Sequence, residues 1–110
     1  MGSASFQVRL TDSALNDLDE IDDYWYLRGE PERGEQYVRN LIEIAERELS
    51  SPVRAQSGRL VRVAILPDTR EILVFNRSYK IIYRIDDSES VVHVLRFWHS
   101  HRDRLDLGQG

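Results

Sequence analysis

The chain has 110 residues, no cysteine and a formal net charge of −4. That length suits one domain with a single core, and the lack of cysteine excludes disulfides, thiolate catalysis and thiolate metal sites. No run approaches the roughly 20 apolar residues of a membrane span, and no basic start leads into an apolar stretch as in a signal peptide; a soluble, cytoplasmic protein with no membrane partner is expected.

Residues 1–4 read as the remnant of an expression vector, residues 5–104 as one domain and residues 105–110 as a flexible tail. In residues 5–10, Phe6, Val8 and Leu10 alternate with Gln7 and Arg9, the pattern of a short strand. Thr11 stands at an N-cap position, with Asp12 in the first turn to favour the helix dipole. Ala14, Leu18, Ile21 and Trp25, widened by Leu15, form one face of a helix over residues 12–27. Its acids fall mostly off this stripe and read as a solvated face. Asp19, Asp22 and Asp23 are scattered by the helical spacing, whereas a hard cation needs convergent oxygens. No metal and no cofactor are expected.

Arg28-Gly29-Glu30-Pro31 breaks the first helix, and Pro31 suits the first turn of the next. Tyr37, Val38, Leu41, Ile44, Ala45 and Leu49 mark a second helix over residues 32–49, closed by Ser50-Ser51-Pro52. So short a break predicts an antiparallel helical hairpin. Residues 53–58 read as a polar, mobile connector. Strand-like runs follow at residues 60–66, 71–76, 79–85 and 91–98, with turns at 67–69 and 76–78. Short turns favour antiparallel neighbours, and the helices must cover one face. The expected fold is α+β: two layers, with an N-terminal strand and a helical hairpin packed on an antiparallel sheet.

The last two runs flank an acidic turn at residues 86–90, which reads as a hairpin loop. Pairing Ile85 with Val91 sets Tyr83 against His93, Ile81 against Leu95 and Lys80 against Arg96. Strand alternation then gives one apolar face of Tyr79, Ile81, Tyr83, Ile85, Val91, His93, Leu95 and Phe97. The other face carries Lys80, Ile82, Arg84, Val92, Val94, Arg96 and Trp98, a mixture of cations and apolar groups suited to a partner. A slip of one residue would destroy this segregation. His93 reads as a hydrogen-bonded core residue. Charge is also polarised along the chain: seven acids face one base between Thr11 and Glu30, and six bases face four acids between Arg77 and Arg104. The acidic total disfavours general nucleic-acid affinity, which depends on neutralising phosphates.

Taken in order, these elements resemble the ParE/RelE superfamily of toxins from bacterial type II toxin–antitoxin modules. The resemblance is carried by the opening strand before Leu10-Thr11-Asp12-Ser13-Ala14-Leu15, by Tyr24, by Ser51-Pro52, by Arg70-Glu71-Ile72-Leu73-Val74, by Tyr79-Lys80-Ile81-Ile82-Tyr83-Arg84-Ile85, and by the run from Val94 to Asp103. It implies a cognate, ParD-like antitoxin whose tail folds onto the toxin. The superfamily divides into RelE-like enzymes that cut mRNA on the ribosome and ParE-like proteins that inhibit DNA gyrase.

Cleavage by a 2′-hydroxyl needs a base, cations at the phosphate and an acid for the leaving oxygen. If this chain is a nuclease, Lys80, Arg84 and Arg96 are its candidate cations, and His99 and His101 its candidate acid and base. RelE-like enzymes tend to carry a late tyrosine, and this chain has none after Tyr83. The stretch from His99 to Asp103 and the Arg70-Glu71-Ile72 run look ParE-like, and the acidic total fits ribosome docking poorly. The expectation is therefore a ParE-like toxin with gyrase as target. A ribosome-dependent RNase and an inactive toxin that acts only as an interaction module are the alternatives. Lys80, Arg84, Arg96, Trp98, His99 and Arg102 are the candidate residues for binding antitoxin or target.

Overall fold

The computed structural model describes residues 5–61 and 68–99. Along the chain these form β1 (Gln7–Leu10), α1 (Asp12–Leu27), α2 (Pro31–Leu49), α3 (Pro52–Gln56), β2 (Arg59–Leu60), β3 (Thr69–Val74), β4 (Tyr79–Asp86) and β5 (Val91–His99). The strands lie side by side in the order β1-β5-β4-β3-β2. The α+β class holds, with one addition: β1 runs parallel to β5, because the helical hairpin carries the chain across the sheet before the antiparallel meander begins. Residues 62–66 of the first expected meander strand lie outside the described residues.

The α1–α2 hairpin covers one face of the sheet. Leu18, Leu41, Ala45 and Leu49 meet Tyr79, Ile81, Tyr83, Val92, Val94 and Phe97 in a continuous core. The helices approach closely at Gly34, where a Cβ would stand 2.9 Å from Asp22 Oδ1 and 3.2 Å from Trp25 Cβ. The missing side chain also lets the rings of Trp25 and Tyr37 stack at 5.8 Å.

Thr11 caps α1 as its position requires. Its Oγ1 accepts from Ala14 N–H at 3.2 Å and donates to the carbonyls of Val94 at 2.8 Å and Leu95 at 3.2 Å. One residue thus starts the helix and ties it to β5.

The β4–β5 register differs from the expected one. Asp86 faces Val91, Ile85 faces Val92 and Tyr83 faces Val94; beyond an irregularity, Ile82 faces Arg96, Ile81 faces Phe97 and Tyr79 faces His99. Leu95 is the extra residue of a β-bulge. The bulge lets two sets of apolar side chains point inward on either side of it: Val92 and Val94 before, Phe97 after. An unbroken strand would have turned one of these sets outward. His93 consequently leaves the core and sits half-buried across from Arg84. On the face away from the helices, Ile82, Val91 and Trp98 are buried as well.

The stretch expected to be a mobile connector instead contains α3. Ser51 caps it, its Oγ accepting from Arg54 N–H at 3.4 Å, and Ala55 is fully buried. The Tyr83 hydroxyl donates to the Ala55 carbonyl at 2.5 Å. Gly58 lies directly over that phenol; a Cβ there would fall 1.9 Å from Tyr83 Oη. Arg70 adds bonds to the carbonyls of Gln56 and Gly58, both at 2.9 Å.

β1 spans only the first half of β5, pairing Gln7–Leu10 with Val91–Val94. Beyond Leu95 that side of β5 has no strand beside it among the described residues. α1 supplies the substitute: Asp17 Oδ2 accepts the Phe97 backbone N–H at 2.9 Å, and its two oxygens hold Arg96 at 2.8 and 2.9 Å. Asp17 is only 5 % exposed, which departs from the solvated-face reading of α1. A buried carboxylate with three charge-assisted or backbone bonds is well compensated.

Tyr83→Phe removes the phenolic donor to Ala55 O and should cost about 1–2 kcal/mol in urea unfolding. Gly58→Ala should cost about 1–3 kcal/mol through overpacking, and less in the Tyr83→Phe background, where the nearest clashing atom is gone. Burial pushes the Tyr83 phenol above its ordinary range. The stability it contributes is therefore complete below the unfolded tyrosine value of about 10 and falls as pH rises through the raised folded value; Tyr83→Phe should lose that alkaline component. Asp17→Ala should cost about 3 kcal/mol, since it strands a partly buried guanidinium and a strand-edge N–H. Arg47→Ala, at a surface pair with Glu48, should stay within about 0.5 kcal/mol by the same assay.

Candidate functional site

The sheet face away from the helices can be read off the pairing as three rows. Thr69, Arg84 and His93 form the first, Glu71, Ile82 and Arg96 the second, and Leu73, Lys80 and Trp98 the third. Lys80 and Arg84 therefore stand four residues apart on β4, about 13 Å at the backbone, with buried Ile82 between them. Arg84 sits near Asp86, whose carboxyl is held below the usual range first by the Ser88 hydroxyl, with Arg84 and His93 contributing. No described residue forms an ion pair with Lys80. Arg96 is bound to Asp17, and its guanidinium carbon lies 4.9 Å from the centre of the Trp98 ring. The hydrogen bonds that Arg96 donates to Asp17 raise its pKa above the ordinary value. Trp98 itself is buried.

His99 does not share this face. It pairs with Tyr79 across β4–β5, with the two rings at 4.8 Å and nearly perpendicular, and it lines a groove on the helix side. Of the proposed residues, the structure thus brings Lys80, Arg84, Arg96 and Trp98 to one face and sets His99 on the other. His101 and Arg102 lie outside the described residues.

The groove has a volume of about 540 Å³ and runs between α1, the first half of α2 and the facing ends of β4 and β5. Asp17, Glu20, Ile21 and Tyr24 line it from one face of α1, at the i, i+3, i+4, i+7 spacing. Trp25, Tyr37, Tyr79 and His99 complete an aromatic wall in which successive rings lie within 6 Å: Tyr24–Trp25 at 5.1 Å, Trp25–Tyr37 at 5.8 Å, Tyr37–Tyr79 at 5.9 Å and Tyr79–His99 at 4.8 Å. Reasoning from the sequence did not single out this wall. The signal was present in the second α1 stripe, Asp17-Glu20-Tyr24, beside the apolar one.

Comparison with known proteins places this geometry. The family described as the ParE toxin of the type II toxin–antitoxin system parDE matches residues 8–104. Among solved structures, the chain is similar to the chromosomal ParDE system of P. aeruginosa, with a TM-score of 0.66 and 20% identity over 88% of this chain and 98% of that one. It is also similar to the RelBE2 toxin–antitoxin complex of Mycobacterium tuberculosis, with a TM-score of 0.63 and 25% identity over 86% and 98%. The intact RelBE complex of E. coli matches with a TM-score of 0.51 and 20% identity over 88% and 99%. No curated protein sequence matches the chain. With the family's profile spanning nearly the whole described fold, the chain belongs to the ParE toxins of type II toxin–antitoxin systems.

Proposed function

We propose that this toxin acts by inhibiting DNA gyrase, without cutting RNA, and that a ParD-like antitoxin encoded beside it neutralises it. The observation that carries the choice is the separation of cations from histidine. In-line attack by a 2′-hydroxyl needs a base, an acid and cations around one phosphate. Lys80 and Arg84 face away from the helices, whereas His99 faces the groove beneath them. The sheet itself stands between the two, so these side chains do not converge. Arg96, the third cation, is already committed to Asp17. The antitoxin partner is supported by the P. aeruginosa and M. tuberculosis relatives, both known as parts of toxin–antitoxin systems.

One observation favours the ribosome-dependent RNase as a second reading. Lys80 follows Tyr79 in the strand motif that resembles RelE-like enzymes, and no described residue pairs with it.

Two assays separate the readings. The purified toxin is expected to inhibit supercoiling by DNA gyrase in a dose-dependent way and to leave mRNA on translating ribosomes intact. Codon-linked mRNA cuts that vanish in Lys80→Ala, together with uninhibited gyrase, would reverse the assignment.

A further inference from the structure

The end of the outer sheet face away from Lys80 and Trp98 plays no part in the choice of target. Three strands meet there in one register: Arg9 of β1 faces His93 of β5, and His93 faces Arg84 of β4. Val8, Leu10, Tyr83, Val92 and Val94 join the core under the helices, so strand alternation turns Arg9, His93 and Arg84 together to the other side. Two guanidiniums and an imidazole stand in a row across the sheet, the outer two separated by two strand spacings, about 10 Å.

The row is not neutralised from within. Among the described residues none of the three forms an ion pair, and Arg9 donates to the neutral Gln7 side chain, Nη2 to Oε1 at 3.1 Å. The acid that interacts with Arg84 and His93 is Asp86. Its Oδ1 accepts from the Ser88 hydroxyl at 2.8 Å and the Glu89 N–H at 3.2 Å, so it also holds the β4–β5 turn. One carboxylate thus stands against two fixed positive charges and a third on His93 when it is protonated. Like charges at facing positions of neighbouring strands oppose the sheet, and an anion laid over the row relieves them.

The surroundings select the anion. The row is short, Asp86, Asp87 and Glu89 follow at one end, and the chain carries −4 overall. A long polyanion such as nucleic acid meets repulsion beyond the row, whereas a short acidic stretch of protein does not. Side chains at i and i+2 of an extended segment point the same way about 7 Å apart. Two glutamates so placed reach the guanidiniums on either side of His93, each of which binds a carboxylate through paired N–H donors.

We infer that the Arg9–His93–Arg84 row is a docking site for a pair of acidic side chains on an extended segment of a protein partner. One carboxylate takes Arg9, the other takes Arg84, and His93 lies between them. The assignment stands whichever cellular target the toxin acts on.

The test is an NMR titration of the ¹⁵N-labelled full chain at low ionic strength with the peptide acetyl-Glu-Ala-Glu-amide. Saturable shifts are expected at the backbone amides of Arg9, Arg84 and His93. The neutral acetyl-Gln-Ala-Gln-amide should bind at least about fivefold more weakly, and Arg9→Gln and Arg84→Gln should each weaken the acidic peptide about two- to fivefold. The spectrum of each variant verifies its fold directly. Lowering the pH from about 8 to about 5.5 should tighten the acidic peptide about twofold, because an imidazole gains its charge in this range, and His93→Gln should lose that gain. Asp86, held below the usual carboxylate range first by the Ser88 hydroxyl, keeps its charge throughout, as do the arginines. Absence of shifts at the row, equal binding of the neutral peptide, or unchanged binding in either arginine variant would overturn the site. A gain at low pH that persists in His93→Gln would overturn the place of His93 in it. A short DNA strand that gives the same saturable shifts at the concentration of the peptide would overturn the assignment to a protein partner.

Discussion

The Asp17 carboxylate is the contact on which the placement of everything near the end of β5 depends. A strand edge inside a protein needs a partner for every second N–H. β1 meets that need only as far as Val94, because Leu10 and Thr11 then turn into α1. The helix that follows carries, on its second turn, an acid whose oxygens reach the Phe97 N–H and the Arg96 guanidinium together. Phe97 is thereby held facing the core, and alternation sends Trp98 to one face and His99 to the other. A neutral side chain at position 17 would serve the N–H or the guanidinium less well, and a charged one without Arg96 would be buried at considerable cost. The pair works as a unit: each partner justifies the burial of the other.

Thr11 and the Leu95 bulge complete the same device. The Thr11 N–H continues the β1–β5 ladder onto the Val94 carbonyl, and at the bulge the Thr11 hydroxyl reaches the carbonyls of both Val94 and Leu95. The N-cap of α1 and the irregularity of β5 are thus one structure seen from two sides. This ties the direction of α1 to the register of the hairpin, and it explains why the helix and the far end of the sheet can form a groove with a defined wall.

Much of the fold was legible in residue order. The α1 bounds, the Thr11 cap, the helical hairpin and the inward set Tyr79, Ile81 and Tyr83 all follow from local periodicity, which a helix or a strand imposes within a few residues. The register of β5 was not legible, because a bulge needs a tertiary reason: Val92, Val94 and Phe97 cannot all face inward on a regular strand, and only the helices above them make that arrangement worthwhile. Asp17 was misread for the same cause. On a helical wheel it sits beside Glu20 and looks solvated; its partner is 79 residues away. α3 was hidden by its polar composition, although Ser51-Pro52 carried the cap and first-turn signal. Lys80, Arg84, Arg96 and Trp98 were placed on their correct face from alternation alone, while the bulge turned Val92 and Val94 inward and Val91 and His93 outward.

A ParE/RelE-type sheet can present cations on one side and a histidine on the same side only if the spacing between them keeps parity. Here Lys80 pairs with Trp98, so His99, one residue on, must face the opposite way. Parity therefore divides the surface in two. Lys80 and Arg84 stand on the sheet face around buried Ile82. His99 joins Tyr79, Tyr37 and the acidic side of α1 beneath the helices. Cationic side chains thus stand on one side of the sheet, and the carboxylate-bearing face of α1 with its aromatic neighbours on the other.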